Sequence, residues 1–214
     1  MKTTHLYQKE VTLQADRRQI SAELIKIISD LWYEKSIEIV LFRNQLIDKN
    51  VSEILNLHEY AGAFVGKPIS IFNSIDIARA LSEIQLPPSK LDIGKLTYEF
   101  GLEEDKYPSA RYFVMEKLKK AKSSKEINPK DVVLYGFGRI GRLLARELVS
   151  KTGKGDQLRL RAIVIREKND AITLEKRASL LRYDSIHGDF MGSVVADAEN
   201  NALIINGTTV HVIS

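Results

Sequence analysis

The sequence contains no cysteine among its 214 residues. Disulfide bridges, thiolate-bound metal sites and catalysis by a cysteine nucleophile are therefore excluded for this chain. Its four histidines are scattered, and no two of them have the spacing of metal ligands. They are His5, His58, His187 and His211. We predict no metal site and no catalytic residue, because no Ser/His/Asp arrangement can be argued either.

Long apolar runs are also lacking. None reaches the roughly 18 to 20 residues that a membrane-spanning helix needs. Met1-Lys2-Thr3-Thr4-His5 leads into polar sequence rather than into the apolar core of a signal peptide. These features predict no membrane partner and a cytoplasmic location.

A strong excess of charge of one sign is missing as well, since the formal net charge is only +4. The densest basic run lies in 117–125, where lysines at the end of a predicted helix favour its dipole. Interleaved aromatic residues that could stack bases are not found there. We therefore predict no nucleic-acid partner. The hydrophobic content of 44% is enough to fill one large or two small cores.

The most informative stretch is Asp131 to Arg142. Residues 132–135 are apolar and predict a buried strand, which is followed by Gly136-Phe137-Gly138-Arg139-Ile140-Gly141 and by an apolar-periodic helix to about residue 150. A GxGxxG turn between a strand and a helix is typical of dinucleotide binding. The first glycine allows the sharp turn, the second leaves room for a pyrophosphate, and the third lets the helix approach the strand.

An ATP-type phosphate loop is excluded because no GxxxxGK[ST] pattern occurs. Gly153-Lys154 has Leu148 where the leading glycine would stand. A second parallel strand is predicted at 158–165, a helix at 173–181 and short strands at 192–196, 202–206 and 209–213. Leu143, Leu144 and Leu148 are predicted to face inward from the nucleotide helix.

Upstream of residue 128 the patterns predict only helices. Apolar residues recur at helical spacing in 13–35, and a second helix is predicted from Ser36. Asn50 or Ser52 would cap a third helix that ends at Gly66, with His58 as a satisfied core histidine. Asn73 or Ser74 would begin a fourth helix, Asp92 would cap a short segment, and a last helix would span 108–122. The inner faces would comprise Ile37, Val40, Leu41 and Leu46 in the second helix and Ile54, Leu55, His58, Ala61 and Phe64 in the third.

The polar segment 122–129 contains a proline and predicts a domain boundary. We therefore expect an all-α domain at 1–128, followed by α/β structure at 129–214. The second part would be the first half of the doubly wound sheet of a Rossmann-type NAD(P)-binding domain.

Two motifs at family-like spacing now carry a resemblance. Gly136 to Arg142 is followed 40 residues on by Arg182-Tyr183-Asp184-Ser185-Ile186-His187-Gly188, and then by Leu203-Ile204-Ile205-Asn206-Gly207 and Val210-His211-Val212-Ile213. Over about 130–214 this resembles the cofactor domain of glyceraldehyde-3-phosphate dehydrogenase. The first 130 residues look like the helical N-terminal extension of a longer bacterial variety, for instance in 32–38 and 55–61.

The resemblance implies a function in glycolysis or gluconeogenesis, namely the NAD(P)-binding portion of a phosphorylating aldehyde dehydrogenase, and a homo-oligomer. It places Phe137 in the turn, and Arg139 and Ile140 along the pyrophosphate through their backbone. Tyr135 is a departure, because the family usually has asparagine there. His187 is expected to have a structural role, since the family's catalytic histidine lies far downstream.

The residue after the second strand decides cofactor preference. An acidic side chain there binds the ribose 2′-hydroxyl of NAD, whereas an arginine accepts the 2′-phosphate of NADP. Arg166 follows the apolar run directly, and Glu167 comes next. We therefore expect use of NADP or of both cofactors, with Glu167 as the residue that would restore NAD preference.

The family's cysteine and histidine would lie beyond Ser214, so the 214 residues are not expected to turn over substrate by themselves. A small-molecule substrate is implied only for a full-length enzyme. The alternative is a non-catalytic module that binds a nucleotide and a partner, with an unpaired sheet edge after the last strand. The mass of the native protein would separate the two hypotheses.

Overall fold

The computed structural model describes residues 2–121, 128–168 and 170–214, with side chains from residue 6 onward. The chain divides into two compact units, Met1–Glu126 and Ile127–Ser214. The boundary predicted at 122–129 falls mostly outside the described residues, at 122–127. Among the described helices, none carries an apolar stretch of the length that a bilayer crossing requires.

The first unit contains five α-helices and three short strands in its described part. The helices are α1 (Lys2–Lys35), α2 (Val51–Val65), α3 (Ile71–Ser82), α4 (Ile93–Glu103) and α5 (Ala110–Lys117), with a 3-10 turn at Glu104–Lys106. The strands are β1 (Ile37–Leu41), β2 (Asn44–Gln45) and β3 (Ser89–Asp92). They form one sheet in the order β2-β1-β3.

The prediction of an all-α first domain is therefore wrong. The segment expected to be a second helix is strand β1, which pairs antiparallel with β2 and parallel with β3. Four of its five residues are buried, and three of them are β-branched and favour a strand. Phe42 and Arg43 have φ of +44° and +73°, as a two-residue hairpin turn of type I′ requires.

Capping residues predicted the ends of the helices better than the apolar pattern predicted the type of element at 37–41. Asn50 caps α2 in a capping box with Glu53, and Gly66 ends that helix in the left-handed conformation. Asp92 caps α4 through the amide of Lys95. The predicted start of α3 at Asn73 or Ser74 is wrong, because Ser70 caps this helix one turn earlier.

Helix α2, which corresponds to the third helix of the prediction, buries Ile54, His58 and Ala61 as predicted. Phe64, predicted to face inward, is 71% exposed, because it lies in the last turn of α2 beyond the buried stripe. The prediction that His58 is a satisfied core histidine is confirmed. Its Nδ1 lies 2.8 Å from the Ile54 carbonyl oxygen, and its Nε2 lies 3.0 Å from Ser74 Oγ.

The second unit is an α/β unit around a five-stranded sheet. Its elements are β4 (Lys130–Tyr135), α6 (Arg139–Ser150), β5 (Leu158–Val164), α7 (Ala171–Arg182), β6 (Tyr183–Asp184), β7 (Gly188–Asp189), β8 (Val194–Asp197), β9 (Ala202–Ile205) and β10 (Thr208–Ile213). The strand order is β4-β5-β10-β9-β8, while β6 and β7 form a separate hairpin. Strands β4, β5 and β10 are parallel, and β9 and β8 follow antiparallel.

Two expectations about this sheet are wrong. The last strand, β10, lies inside the sheet, and the unpaired edges belong to β4 and β8. Strand β4 is also not buried, since Val133 and Tyr135 on one of its faces are 56% and 76% exposed. The other face carries Leu134 into the core.

The core of the second unit lies between this sheet and its two helices. It includes Phe137, Ala145, Leu174, Ala178 and Val210. Leu148 packs against it as predicted. Leu144, also predicted to face inward, is 48% exposed, because Ala145 occupies the central buried position of α6.

Candidate nucleotide-binding site

The glycine turn lies at the carboxyl end of β4. Where the strands of a sheet are parallel, ligands bind at the carboxyl ends of those strands. Gly136 has φ of +94°, which a side chain would disfavour. Its amide donates to the Val164 carbonyl at 2.8 Å, so the turn begins while the chain is still paired with β5. Phe137 is buried and anchors the turn in the core.

Gly141 brings helix α6 against the turn. A Cβ atom built at this position would collide with the carbonyl oxygen of Gly136. Any larger residue would therefore push the helix away from the strand. Gly136 and Gly138, by contrast, face open space within 4 Å, where a ligand has room to approach the backbone.

The N-terminus of α6 is open to a ligand. Gly138 is the N-cap residue, and no side chain caps the helix. The first intrahelical bond runs from the Arg142 amide to the Gly138 carbonyl at 3.0 Å. The amides of the first helical turn, which begins at Arg139 and Ile140, precede that bond, and both residues are exposed. Exposed amides at a helix N-terminus bind phosphate groups.

Arg166 and Glu167, which are predicted to decide cofactor preference, follow the carboxyl end of β5. Tyr135 pairs with Val164 in register, so the chain leaves β5 beside the glycine turn. Arg166 is exposed and has no ion-pair partner among the described residues. The Glu167 carboxylate, however, lies 2.6 Å from a guanidinium nitrogen of Arg177 on α7.

The second motif forms a tight turn around Asp184. Its carboxylate accepts the backbone amides of Ile186 at 3.0 Å and His187 at 2.9 Å. His187 Nδ1 lies 2.9 Å from the same oxygen. These hydrogen bonds hold the pKa of Asp184 far below its usual range. His187 thus takes part in the hydrogen bonding of this turn, and its structural role stays a prediction.

Arg142 connects the two motifs. Its guanidinium donates to the Phe137 carbonyl at 3.4 Å, and another of its nitrogens lies 3.6 Å from Asp184. The glycine turn and the Asp184 turn are therefore held together from the first turn of α6.

A second arginine with a similar function was missed by the sequence analysis. Arg146 donates to the carbonyls of Leu181 at 2.7 Å, Gly188 at 2.9 Å and Arg182 at 3.3 Å. Its guanidinium also lies 5.8 Å from the centre of the Phe190 ring. The signal available was the spacing of Arg142 and Arg146, which places both on one face of a helix.

Comparison with known proteins follows the same division of the chain. Residues 130–214 match the family model described as the NAD binding domain of glyceraldehyde 3-phosphate dehydrogenase. Glyceraldehyde-3-phosphate dehydrogenases of Bacteroides fragilis and Mycoplasma pneumoniae are 40% and 41% identical over 79 and 83 residues. Those alignments cover 37% and 39% of this chain and 21% of each relative.

A third relative is similar over more of the chain. A glyceraldehyde-3-phosphate dehydrogenase-like protein of Pseudomonas aeruginosa is 40% identical over 197 residues, covering 89% of this chain. The similarity therefore extends into the first unit. The chain spans 42% of the length of that relative. Taken with the geometry of the turn, these matches show that residues 130–214 are similar to the NAD binding domain of glyceraldehyde-3-phosphate dehydrogenase.

Proposed function

We propose that this chain supplies the N-terminal part of a phosphorylating glyceraldehyde-3-phosphate dehydrogenase, in which residues 136–141 bind the pyrophosphate of NAD or NADP. The observation that carries the proposal is the uncapped N-terminus of α6, which directly follows the glycine turn. Its amides and the positive end of the helix dipole stabilise a doubly charged diphosphate. The steric exclusion at Gly141 supports the same assignment.

The chemistry of the whole protein would be oxidation of glyceraldehyde 3-phosphate, with phosphate and NAD(P), to 1,3-bisphosphoglycerate and NAD(P)H. The nicotinamide cofactor accepts the hydride in such a reaction. The residues of this chain contribute binding and orientation. The homo-oligomer and the cytoplasmic location stay predictions.

Cofactor preference follows from the charges at the end of β5. Glu167 is paired with Arg177, so its carboxylate is already engaged. Arg166 has no such partner among the described residues and can pair with a 2′-phosphate. We therefore propose that the site accepts NADP, alone or together with NAD.

Calorimetric titration of the purified chain with NAD and NADP tests this assignment. Arg166→Asp is expected to weaken NADP binding by about tenfold, because only NADP carries the 2′-phosphate, and to leave NAD binding unchanged or stronger, because the new carboxylate can accept the ribose 2′-hydroxyl. Lys168→Asp, at the neighbouring exposed position, is the matched control for the change in charge. Unchanged relative affinities in Arg166→Asp would remove Arg166 from the site. Absence of binding by both cofactors would contradict the proposed function itself.

A further inference from the structure

A cavity of about 530 Å³ lies wholly within the first unit, far in sequence from the nucleotide turn. Helix α1 contributes Gln14 and Arg17, helix α2 contributes Leu55, His58, Glu59 and Gly62, and the segment 66–72 lines the remaining side. The volume lies in the range of small-molecule sites. Nothing in the nucleotide-binding function accounts for it.

The walls of this cavity are largely apolar. Leu55, Ile69, Ile71 and Phe72 contribute hydrocarbon surface. His58 adds to that surface, because both of its ring nitrogens are already engaged by Ile54 and Ser74. The cavity therefore offers a place for the apolar body of a ligand.

The side chains that line the cavity include more cations than anions. Two cations, Arg17 and Lys67, and one carboxylate, Glu59, line it. Arg17 is half-buried, and in the described part of the chain neither cation has an ion-pair or side-chain hydrogen-bond partner. Several other cations of this unit, such as Arg79 and Lys117, form ion pairs with carboxylates.

We propose that this cavity binds a small amphipathic anion, with an apolar chain against the walls and a carboxylate or phosphate head on Arg17 and Lys67. A guanidinium recognises such a head through two parallel hydrogen bonds, which a neutral or cationic head cannot accept. The apolar walls would exclude water from a bound chain and so supply most of the affinity. This inference is independent of the nucleotide site.

The test uses the full 214-residue chain and four probes: octanoate, octyl phosphate, octylammonium and inorganic phosphate. Octanoate and octyl phosphate share the apolar chain and distinguish the two kinds of anionic head. Octylammonium keeps the chain but reverses the charge, and inorganic phosphate keeps an anionic head without the chain. Calorimetry is expected to detect the two amphipathic anions at sub-millimolar to millimolar concentration, with octylammonium and inorganic phosphate at least tenfold weaker.

Histidine-selective NMR locates the site. The ring signals of His58 are expected to shift with octanoate, whereas those of His187 and His211, in the other unit, stay in place. His58→Gln identifies the His58 signal. Equal binding of octylammonium, or octanoate binding that leaves the His58 signals unmoved, would overturn the proposal.

Two substitutions test the head-group contacts. Arg17→Met and Lys67→Met keep an unbranched apolar stem and remove the charge, and each is expected to weaken octanoate binding about threefold to tenfold. Arg18→Met is the matched control, since Arg18 is exposed and does not line the cavity. Lys67 is itself exposed, so its replacement is compatible with folding. Octanoate affinity that is the same in Lys67→Met as in Arg18→Met contradicts the assigned head-group site.

Discussion

Gly141 shows how one missing side chain sets the distance between a helix and a strand. A methyl group there would meet the carbonyl oxygen of Gly136, which belongs to the backbone and cannot rotate away. Gly141→Ala is therefore expected to destabilise the second unit by about 1–3 kcal/mol, the usual cost of overpacking. It should also weaken NAD binding, because the amides of α6 would shift.

Urea unfolding and a cofactor titration measure the two effects of Gly141→Ala. Gly101→Ala is the matched control, since Gly101 also lies in a helix but has open space around its Cβ position. That control should gain about 0.5–1 kcal/mol from the better helix propensity of alanine. A Gly141→Ala protein as stable as the parent chain would show that the turn is not closely packed.

His58 makes the stability of the first unit depend on pH. Burial lowers the pKa of His58 from its ordinary value of 6.5. The native state therefore prefers the neutral ring, and the unfolded state binds the proton more readily. Stability is full above pH 6.5 and should fall as the pH decreases below it, by at most about 1.4 kcal/mol per pH unit for one proton.

The buried side chain of Trp32, the single tryptophan, reports this unfolding by fluorescence. Urea titrations between pH 7.5 and 5.5 give the slope of stability against pH. His58→Gln should flatten that slope even if the protein is less stable overall, because the substituted side chain does not titrate. A slope of equal size in both proteins would assign the pH dependence to another group.

At the scale of elements, strand β4 is more exposed than the buried strand that the sequence predicts. Among the strands that the structure describes it pairs with β5 alone, and one of its faces exposes Val133 and Tyr135. An exposed apolar edge strand pairs readily with a second copy. The purified 24.2 kDa chain is therefore expected to self-associate as its concentration rises.

Tyr135→Lys should suppress this association, because a charge on an edge strand opposes pairing. Light scattering across a range of concentrations measures it. Tyr112→Lys, which changes an exposed tyrosine on α5, is the control and should associate like the parent chain. If the two variants behave alike, β4 is not the contact.

For the molecule as a whole, the second unit was predictable because its signals are local. The glycine turn and the alternation of strand and helix predict most of the element order directly, although not the β6–β7 hairpin. The first unit was harder, because residues 37–41 are a short apolar run that fits a helix or a strand. The pairing of Ile39 with Leu91 favours the strand, but Leu91 lies 52 residues away and the pairing leaves no local pattern.

The contacts of the site are likewise partly local and partly distant in sequence. The backbone of the turn follows from glycine chemistry, and the Asp184 turn closes within four residues. Arg146 could not be assigned, because it donates to carbonyls at least 35 residues distant. A carbonyl acceptor belongs to every residue type, so the sequence does not mark it.

The hydrogen bonds of Arg146 link two parts of the second unit. Arg146 lies in the middle of α6, and its guanidinium donates hydrogen bonds to carbonyl oxygens at the end of α7 and at the start of β7. The helix that begins at the glycine turn is therefore linked to the β6–β7 hairpin. A displacement of α6 on ligand binding would therefore be transmitted through Arg146 to backbone that lies more than 30 residues further along the chain.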